Sequence, residues 1–192
     1  MSRTGVPRQH IYIALYKPRG YLADFPDALG RPTVQDLVPI DEGIFPVGRL
    51  DLRSEGLMLL TSDGKLAHRL IHPRYGHERE YLVLVQGVPS DEALRRWRRG
   101  VELKGRLTAP AQVEIIRQEG PNTWLRVIVK EGRKRQLRKV AASLGHPVLR
   151  LIRIRIGPVR LGNLKPGQWR HLSKEEIRQL RRITGLSERS GR

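Results

Sequence analysis

Apolar residues in this chain either alternate with polar residues or form short unbroken runs, and both patterns are typical of β-strands. The alternation is clearest over residues 148–156, where it places three isoleucines on one face of a strand and Leu151 and Arg153 on the other. Further strands are predicted at residues 11–16, 57–60, 78–86, 113–117, 124–129 and 168–172. Turn residues separate these runs, so the chain reads as a strand-rich fold.

Helical spacing accounts for most of the remaining apolar residues. Short helices are predicted after the candidate N-cap Thr33, over 65–71 and over 90–99. A longer helix is predicted from the N-cap Ser173 to about residue 183. In the segment 131–144, apolar residues recur at the i, i+3, i+4 and i+7 positions of a helix, which leaves its basic residues off the buried stripe. Trp97 sits among four arginines and is either an exposed stacking surface or the one buried ring of a solvated helix.

The charge of the chain points to a polyanionic partner. Of its 192 residues, 37 are basic and 19 are acidic, which leaves a net charge of +18. The charge is concentrated, because residues 130–160 contain ten basic residues and one acid. RNA or DNA is therefore a better expectation than a small metabolite, although an isolated basic face is often merely solvated.

Other features of composition exclude several classes of protein. The chain has no cysteine, so disulfides and thiolate-bound zinc are excluded. It has no apolar run of membrane-spanning length, and the first ten residues lack the apolar core of a signal peptide. We expect a cytoplasmic monomer with one domain over 10–183, forming two lobes around one cleft, with a flexible leader (1–9) and a flexible basic tail (184–192).

Asp51 is the first candidate for chemistry. It follows Gly48, Arg49 and Leu50 in a turn just ahead of the apolar run 57–60, so its carboxylate is held on a loop against rigid structure. Considered alone, such an aspartate is more often a turn or cap residue. His68 and His72 share a helix face, but no glutamate or cysteine accompanies them, so we expect no metal site there.

Several motifs occur together and in order. They are Lys-Pro-Arg-Gly at 17–20, Gly-Arg-Leu-Asp at 48–51 followed by Ser-Glu-Gly-Leu-Met-Leu-Leu-Thr at 54–61, Arg-Glu-Tyr-Leu-Val at 79–83, and Arg-Lys-Arg-Gln-Leu-Arg at 133–138. Over residues 12–172 this series resembles the RsuA-type ribosomal RNA pseudouridine synthases, and within that family its large-subunit members of type E. A joint match is far more specific than any single motif.

The resemblance implies a role for particular residues. Asp51 would be the catalytic nucleophile, Arg138 would pair with it, and Tyr81 would pack against the target uracil, with Leu151 on the opposite side of the base. We also name candidate RNA contacts, which are Lys17, Arg49, Lys134, Arg135, Leu151 and Arg153. The reaction needs no metal ion or cofactor, so none is expected.

The resemblance also implies an architecture. We expect an α+β fold with a mixed, largely antiparallel sheet, helices on its outer faces and a central basic cleft where Asp51, Tyr81 and Arg138 converge. Some relatives carry a small N-terminal RNA-binding domain, of the S4 type, ahead of the catalytic domain. We expect no S4 domain here, so the catalytic domain itself would bind the RNA.

The expected function is conversion of a specific uridine of ribosomal RNA, in the 23S molecule, to pseudouridine on a flipped-out base. Alternatives are a synthase acting on small-subunit RNA and a non-catalytic RNA-binding or ribosome-assembly protein. A DNA-binding module has no support, because the sequence contains no helix-turn-helix, zinc-finger or zipper pattern. The residues do not reveal which atom the carboxylate attacks or which group removes the C5 proton.

Overall fold

The computed structural model describes residues 9–186, and its strands are grouped mainly into one sheet. The strands are β1 (Tyr12–Lys17), β2 (Phe45–Val47), β3 (Glu55–Thr61), β4 (Arg79–Val85), β5 (Glu102–Leu103), β6 (Arg106–Leu107), β7 (Gln112–Glu119), β8 (Asn122–Val129), β9 (Val148–Ile156), β10 (Val159–Arg160) and β11 (Trp169–His171). The helices are α1 (Val34–Leu37), α2 (Gly64–Ile71), α3 (Asp91–Arg99), α4 (Gln136–Ser143) and α5 (Lys174–Ile183).

The large sheet is mixed, as expected. Its strand order is β11-β1-β3-β9-β4-β8-β7, with β10 on β9 and β2 on β3, while β5 and β6 form a separate hairpin. Every pairing is antiparallel except that of β3 with β9. This confirms the predicted α+β fold with a largely antiparallel sheet.

The parallel pairing of β3 with β9 joins the two halves of the sheet and is short. It matches Glu55 with Ile152 and Gly56 with Arg153. Side chains reinforce it, because Arg150 donates two hydrogen bonds to the buried Glu55 carboxylate (2.8 and 3.0 Å). Arg153 also reaches across and donates from Nε to the Leu57 carbonyl oxygen at 2.8 Å. Since Asp51 lies in the turn just before β3, this junction positions the candidate site.

Hydrophobic clusters cover both faces of the sheet. On one face, α3 and α4 contribute buried residues that include Trp97 and Val140. On the other, α2 and α5 contribute residues that include Leu66 and Leu180. The burial of Trp97 decides between the two interpretations of its helix: the ring belongs to the core and is no stacking surface.

The structure differs from the sequence predictions at several places. Gly56 lies inside β3 instead of bounding it. Helix α4 begins at Gln136, not at residue 131, because Arg135 adopts a left-handed backbone conformation (φ 54°).

Burial differs from expectation at three residues. Leu151 and Arg153, named above as candidate RNA contacts, are buried in the free protein. Thr184, assigned to the flexible tail, is buried and caps α5. The rest of that tail, and the leader except Gln9, lie outside the described residues.

Within residues 9–186, none of the helices combines the length and the apolar character needed to cross a bilayer.

Lys17 was expected to contact RNA, and the structure contradicts this. The side chain is 0% exposed at the end of β1. Its ammonium donates hydrogen bonds to the carbonyl oxygens of Pro18 (2.9 Å) and Leu52 (3.4 Å). Burial, which disfavours the charged form, lowers the pKa of Lys17 to about 8, against the opposing attraction of Asp51 and Glu55. Lys17 therefore stabilises the turn that carries Asp51, through its hydrogen bond to the Leu52 carbonyl oxygen.

The lowered pKa of Lys17 predicts a pH-dependent stability. Between pH 8 and its ordinary value of 10.5, the unfolded chain holds the proton that the folded chain has lost. The free energy of unfolding therefore rises with pH across this window. In Lys17→Met this contribution is absent, so we expect the stability of the wild type relative to the variant to grow by about 2 kcal/mol between pH 8 and pH 10.

Urea unfolding of both proteins across that range measures this difference, since other titrating groups cancel. Lys65→Met is the matched control, because Lys65 is exposed on α2 and should follow the wild type. Parallel stability curves for the wild type and Lys17→Met would contradict the assignment of the shift to Lys17.

Gly56 provides a second prediction. Its φ is +104°, and a Cβ built there would overlap the carbonyl oxygen of Arg153 and lie 2.8 Å from its amide nitrogen. Gly56→Ala must therefore push β3 away from β9. We expect a loss of about 3 kcal/mol or more and a melting temperature lower by about 10 °C. Gly64→Ala, at the start of α2 with open space around it, should leave the melting temperature unchanged or raise it. Equal melting of the two variants would show that the junction tolerates a side chain.

Candidate active site

A cleft of about 670 Å³ opens at the junction of the two sheet halves. Its walls come from the loop at 22–25, the turn at 47–54, the segment 70–79 and the segment 130–138, with β9 contributing to its floor. The basic side chains that line it outnumber the acidic ones. The basic residues are Arg49, Arg79, Lys130, Lys134, Arg135, Arg138 and Arg153, and the acids are Asp24, Asp51 and Glu131. Such a cleft suits a polyanion.

Asp51 lies in this cleft. Gly48 provides the positive φ (79°) that the turn needs, and the turn is closed by a hydrogen bond from Ser54 N to the Asp51 carbonyl oxygen (3.0 Å). The Asp51 side chain is 30% exposed. Its Oδ2 lies 3.5 Å from Arg135 Nη1 and 3.7 Å from Arg138 Nε. A carboxylate that is both accessible and held between two guanidinium groups is suited to attack or to proton abstraction.

Arg138 is the more fixed of the two arginines. It projects from α4 with most of its side chain buried, and its Nη2 donates to Ser54 Oγ at 2.9 Å. Its Nε has no hydrogen-bond partner among the residues the structure describes. Burial and the neighbouring Arg135 charge lower the pKa of Arg138, while Asp51 opposes the shift. Sequence reasoning gave Ser54 no role, although it lies in the motif quoted after Asp51.

Arg135 approaches the same carboxylate from the open side. Its left-handed conformation directs the side chain into the cleft before α4 begins, and 43% of that side chain is exposed. The pairing with Asp51 is long at 3.5 Å. Arg135 can therefore exchange partners at a lower cost than Arg138 can.

Tyr81 and Leu151 line the cleft from adjacent strands. Tyr81 on β4 pairs with Arg153 on β9, and Leu151 pairs with Val83. Both side chains belong to the hydrophobic cluster on one face of the sheet. In the free protein they are thus diagonal neighbours. The arrangement expected from the resemblance, with the two side chains on opposite sides of a base, stays a prediction.

Two further arginines lie deep in the cleft. Arg153 is buried, and its Nη2 has no partner within the described part of the chain. Arg79, which sequence reasoning did not select, donates from Nη2 to the Leu70 carbonyl oxygen (3.2 Å). Burial lowers the pKa of Arg79, and the nearby Tyr81 opposes the shift. The signal for Arg79 was its place two residues before Tyr81 in the motif at 79–83.

The remaining candidates divide clearly. Arg49 and Lys134 line the cleft, whereas Lys17 does not. His72 also lines it, whereas His68 does not, and both histidines are exposed. Across residues 9–186, histidine, aspartate and glutamate form no group of three that could hold a metal ion.

Comparison with known proteins gives consistent matches. The family model for RNA pseudouridylate synthase matches residues 11–143. An uncharacterized RNA pseudouridine synthase of Aquifex aeolicus is 45% identical over 94% of this chain and 73% of its own length. The ribosomal large subunit pseudouridine synthase E of Vibrio vulnificus is 43% identical over 84% of this chain and 74% of its own length. The ribosomal large subunit pseudouridine synthase B of Bacillus subtilis is 36% identical over 90% of this chain and 72% of its own length.

Solved structures agree with these relatives. A crystal structure of a pseudouridylate synthase superimposes with a TM-score of 0.80 at 31% identity, over 90% of this chain and 74% of the other. Human RNA pseudouridylate synthase domain containing 1 shares the fold, with a TM-score of 0.56 at 17% identity, over 94% of this chain and 98% of the other. The resemblance stated from the motifs is confirmed, and the protein belongs to the RNA pseudouridylate synthase family of enzymes.

Proposed function

We propose that this protein converts a uridine of large-subunit (23S) ribosomal RNA to pseudouridine and that Asp51 is its catalytic carboxylate. The observation that carries the proposal is the partly exposed Asp51 carboxylate, held 3.5 and 3.7 Å from two arginines inside a basic cleft. The choice of large-subunit RNA is supported by relatives named as large-subunit synthases E and B.

The chemistry requires one bond to be exchanged for another. The C1′–N1 glycosidic bond breaks, the uracil turns, and a C1′–C5 bond forms; the C5 proton is lost and N1 gains one, so the product is an isomer. Asp51 is the group that attacks the nucleotide or abstracts a proton from it. Arg138, fixed by Ser54, positions the carboxylate and balances its charge.

The target uracil is inaccessible while it is stacked, so the nucleotide must be extruded into the cleft. Tyr81 and Leu151 provide apolar surface in the same cleft as Asp51. This surface would replace the stacking partners that the extruded uracil has lost. Arg153 lines the same cleft, and its buried Nη2 has no partner among the described residues, so it is suited to donate a hydrogen bond to a carbonyl or phosphate oxygen. A volume of about 670 Å³ has room for a nucleotide.

Phosphate groups would be neutralised at the edge of the cleft. Arg49, Lys134 and Arg135 line it there and are the side chains best suited to this contact. Because Arg135 is more exposed than Arg138, it is the one that leaves Asp51 to bind a phosphate. Arg138 then remains as the constant partner of the carboxylate.

The proposal extends to the oligomeric state, the metal requirement and the cellular location. We propose that a single chain is active, with Asp51, Tyr81 and Arg138 lining one cleft. The proposed chemistry uses a carboxylate and arginines, so it requires no metal ion. We place the reaction in the cytoplasm, where bacterial ribosomal RNA is made.

The first experiment tests Asp51. Asp51→Asn keeps the shape of the side chain but removes its charge, so we expect the isomerisation rate to fall by at least about 10⁴-fold. Release of tritium from a 23S transcript labelled with [5-³H]uridine measures the rate, since the C5 proton is lost in the reaction. Binding of the same transcript should persist.

Asp41→Asn is the matched control, because Asp41 is exposed and does not line the cleft. It should leave the rate unchanged. Turnover retained by Asp51→Asn would remove Asp51 from the mechanism, and loss of RNA binding would mean that its main role is structural.

The second experiment tests Arg135. Binding of RNA should weaken as salt rises, because phosphate neutralisation releases counterions. In Arg135→Ala, the slope of log K against log salt should become shallower by about one unit, as expected for the loss of one phosphate contact. Binding is measured in the Asp51→Asn background, so that turnover does not interfere.

Arg178→Ala on α5 provides the control, since this exposed arginine does not line the cleft. Its salt slope should equal that of the parent. An unchanged slope for Arg135→Ala would show that Arg135 makes no phosphate contact in the bound RNA.

A further inference from the structure

The most exposed large apolar side chain of the described residues is Phe25, with 82% of its surface accessible. It lies on the loop between β1 and α1 and lines the cleft that contains Asp51. Single exposed apolar residues are ordinary on protein surfaces. Leu29, on the same loop, is 78% exposed and does not line the cleft, so it is an example of that ordinary kind. Phe25 differs from it by position.

The exposure of Phe25 does not come from a loose loop. The base of the loop is closed by hydrogen bonds from Leu22 N to Pro32 O (2.8 Å) and from Val34 N to Leu22 O (2.9 Å). Within it, the Asp27 carboxylate accepts from the backbone N–H groups of Leu29 (3.1 Å) and Arg31 (3.2 Å). Pro26 restricts Phe25 itself to an extended backbone. The ring is therefore presented to solvent by an ordered frame.

The same loop is attached to the turn that carries Asp51. Gly20 N donates to the Leu52 carbonyl oxygen at 2.8 Å. Asp24, the residue before Phe25, pairs with Arg49, two residues before Asp51, with Nε and Oδ2 3.6 Å apart. Phe25 thus lies on a loop that contacts the turn carrying the Asp51 carboxylate.

The charges around Phe25 fit a nucleic acid. Its two acidic neighbours, Asp24 and Asp27, are each paired with an arginine, so they do not present a free negative charge to phosphates. Arg49, the partner of Asp24, is itself largely exposed and lines the same cleft as Phe25. Aromatic and basic side chains that line one groove are the combination that binds unstacked bases.

From these observations we infer that Phe25 stacks on the base next to the target uridine. When the target leaves the helix, its neighbour loses one stacking partner, and the Phe25 ring at the mouth of the cleft replaces it. The inference rests on the proposed RNA substrate and adds a substrate-positioning residue outside the catalytic group. It also implies that the enzyme selects a uridine whose neighbour can turn toward the ring.

The test compares Phe25→Ala with Phe25→Trp and the matched control Leu29→Ala. Single-turnover tritium release from the labelled 23S transcript gives a maximal rate and the enzyme concentration at half-saturation. Loss of one stacked base should raise the half-saturating concentration of Phe25→Ala by about 5- to 150-fold and change the maximal rate by less than about 2-fold. Phe25→Trp should restore binding, and Leu29→Ala should behave as the wild type.

Cross-linking supplies a readout that a merely structural role would not produce. Irradiation of the complex with a transcript containing 5-iodouridine should join RNA to the peptide carrying Phe25, because a base stacked on an aromatic ring is a favoured geometry for this photo-crosslinking. Equal half-saturation for Phe25→Ala and Leu29→Ala, or an effect on the maximal rate alone, would overturn the inference, as would a cross-link confined to other peptides.

The outcome can be separated from that of the proposed function. If the wild type releases no tritium from the 23S transcript, the assigned target is wrong. The comparison of Phe25→Ala with Leu29→Ala is then made by the same tritium assay on a small-subunit (16S) transcript, the alternative target. A 5- to 150-fold difference in half-saturating concentration between these two proteins would support the stacking, and equal values would reject it.

Discussion

The close parallel approach of β3 to β9 is the constraint on which the rest of the structure depends. It requires a residue without a side chain, because the backbone of Arg153 occupies the space that a Cβ at position 56 would need. The approach brings the turn before β3 against the floor formed by β9, and the Arg150 to Glu55 ion pair fastens it. With a wider gap, Asp51 would no longer lie over the strand that carries Leu151 and Arg153.

Some of the basic residues of this protein are paired with carboxylates of the fold, and others line the cleft. The basic segment 130–160 suggested a surface for a polyanion, yet Arg150 pairs with Glu55, and Arg155 pairs with Glu78 and Glu80. Burying the Glu55 and Glu80 carboxylates is expensive unless cations accompany them, so Arg150 and Arg155 act as their counterions. The charge left for RNA is concentrated on the cleft wall before α4, where Lys134 and Arg135 lie.

Local patterns predicted local structure well. Alternation gave the bounds of β9, and Ser90 and Ser173 were read correctly as helix caps. Periodicity could not reveal the left-handed Arg135, because the apolar stripe of α4 looks the same wherever the helix begins. Lys17 was misjudged because a lysine beside a turn is usually solvated. The meeting of Asp51, Tyr81 and Arg138 was inferred from resemblance, since three distant positions carry no mutual signal in one sequence.

The strand order has a consequence for the timing of activity. The turn that carries Asp51 comes from the first third of the chain and the floor beneath it from β9, while the early strand β1 is not enclosed until β11 pairs with it. The residues that line the cleft extend to Ile156, so a ribosome must synthesise the chain through β9 before the cleft can be complete. Pairings between such distant segments form slowly. Isomerase activity therefore has to wait for the pairing of β3 with β9.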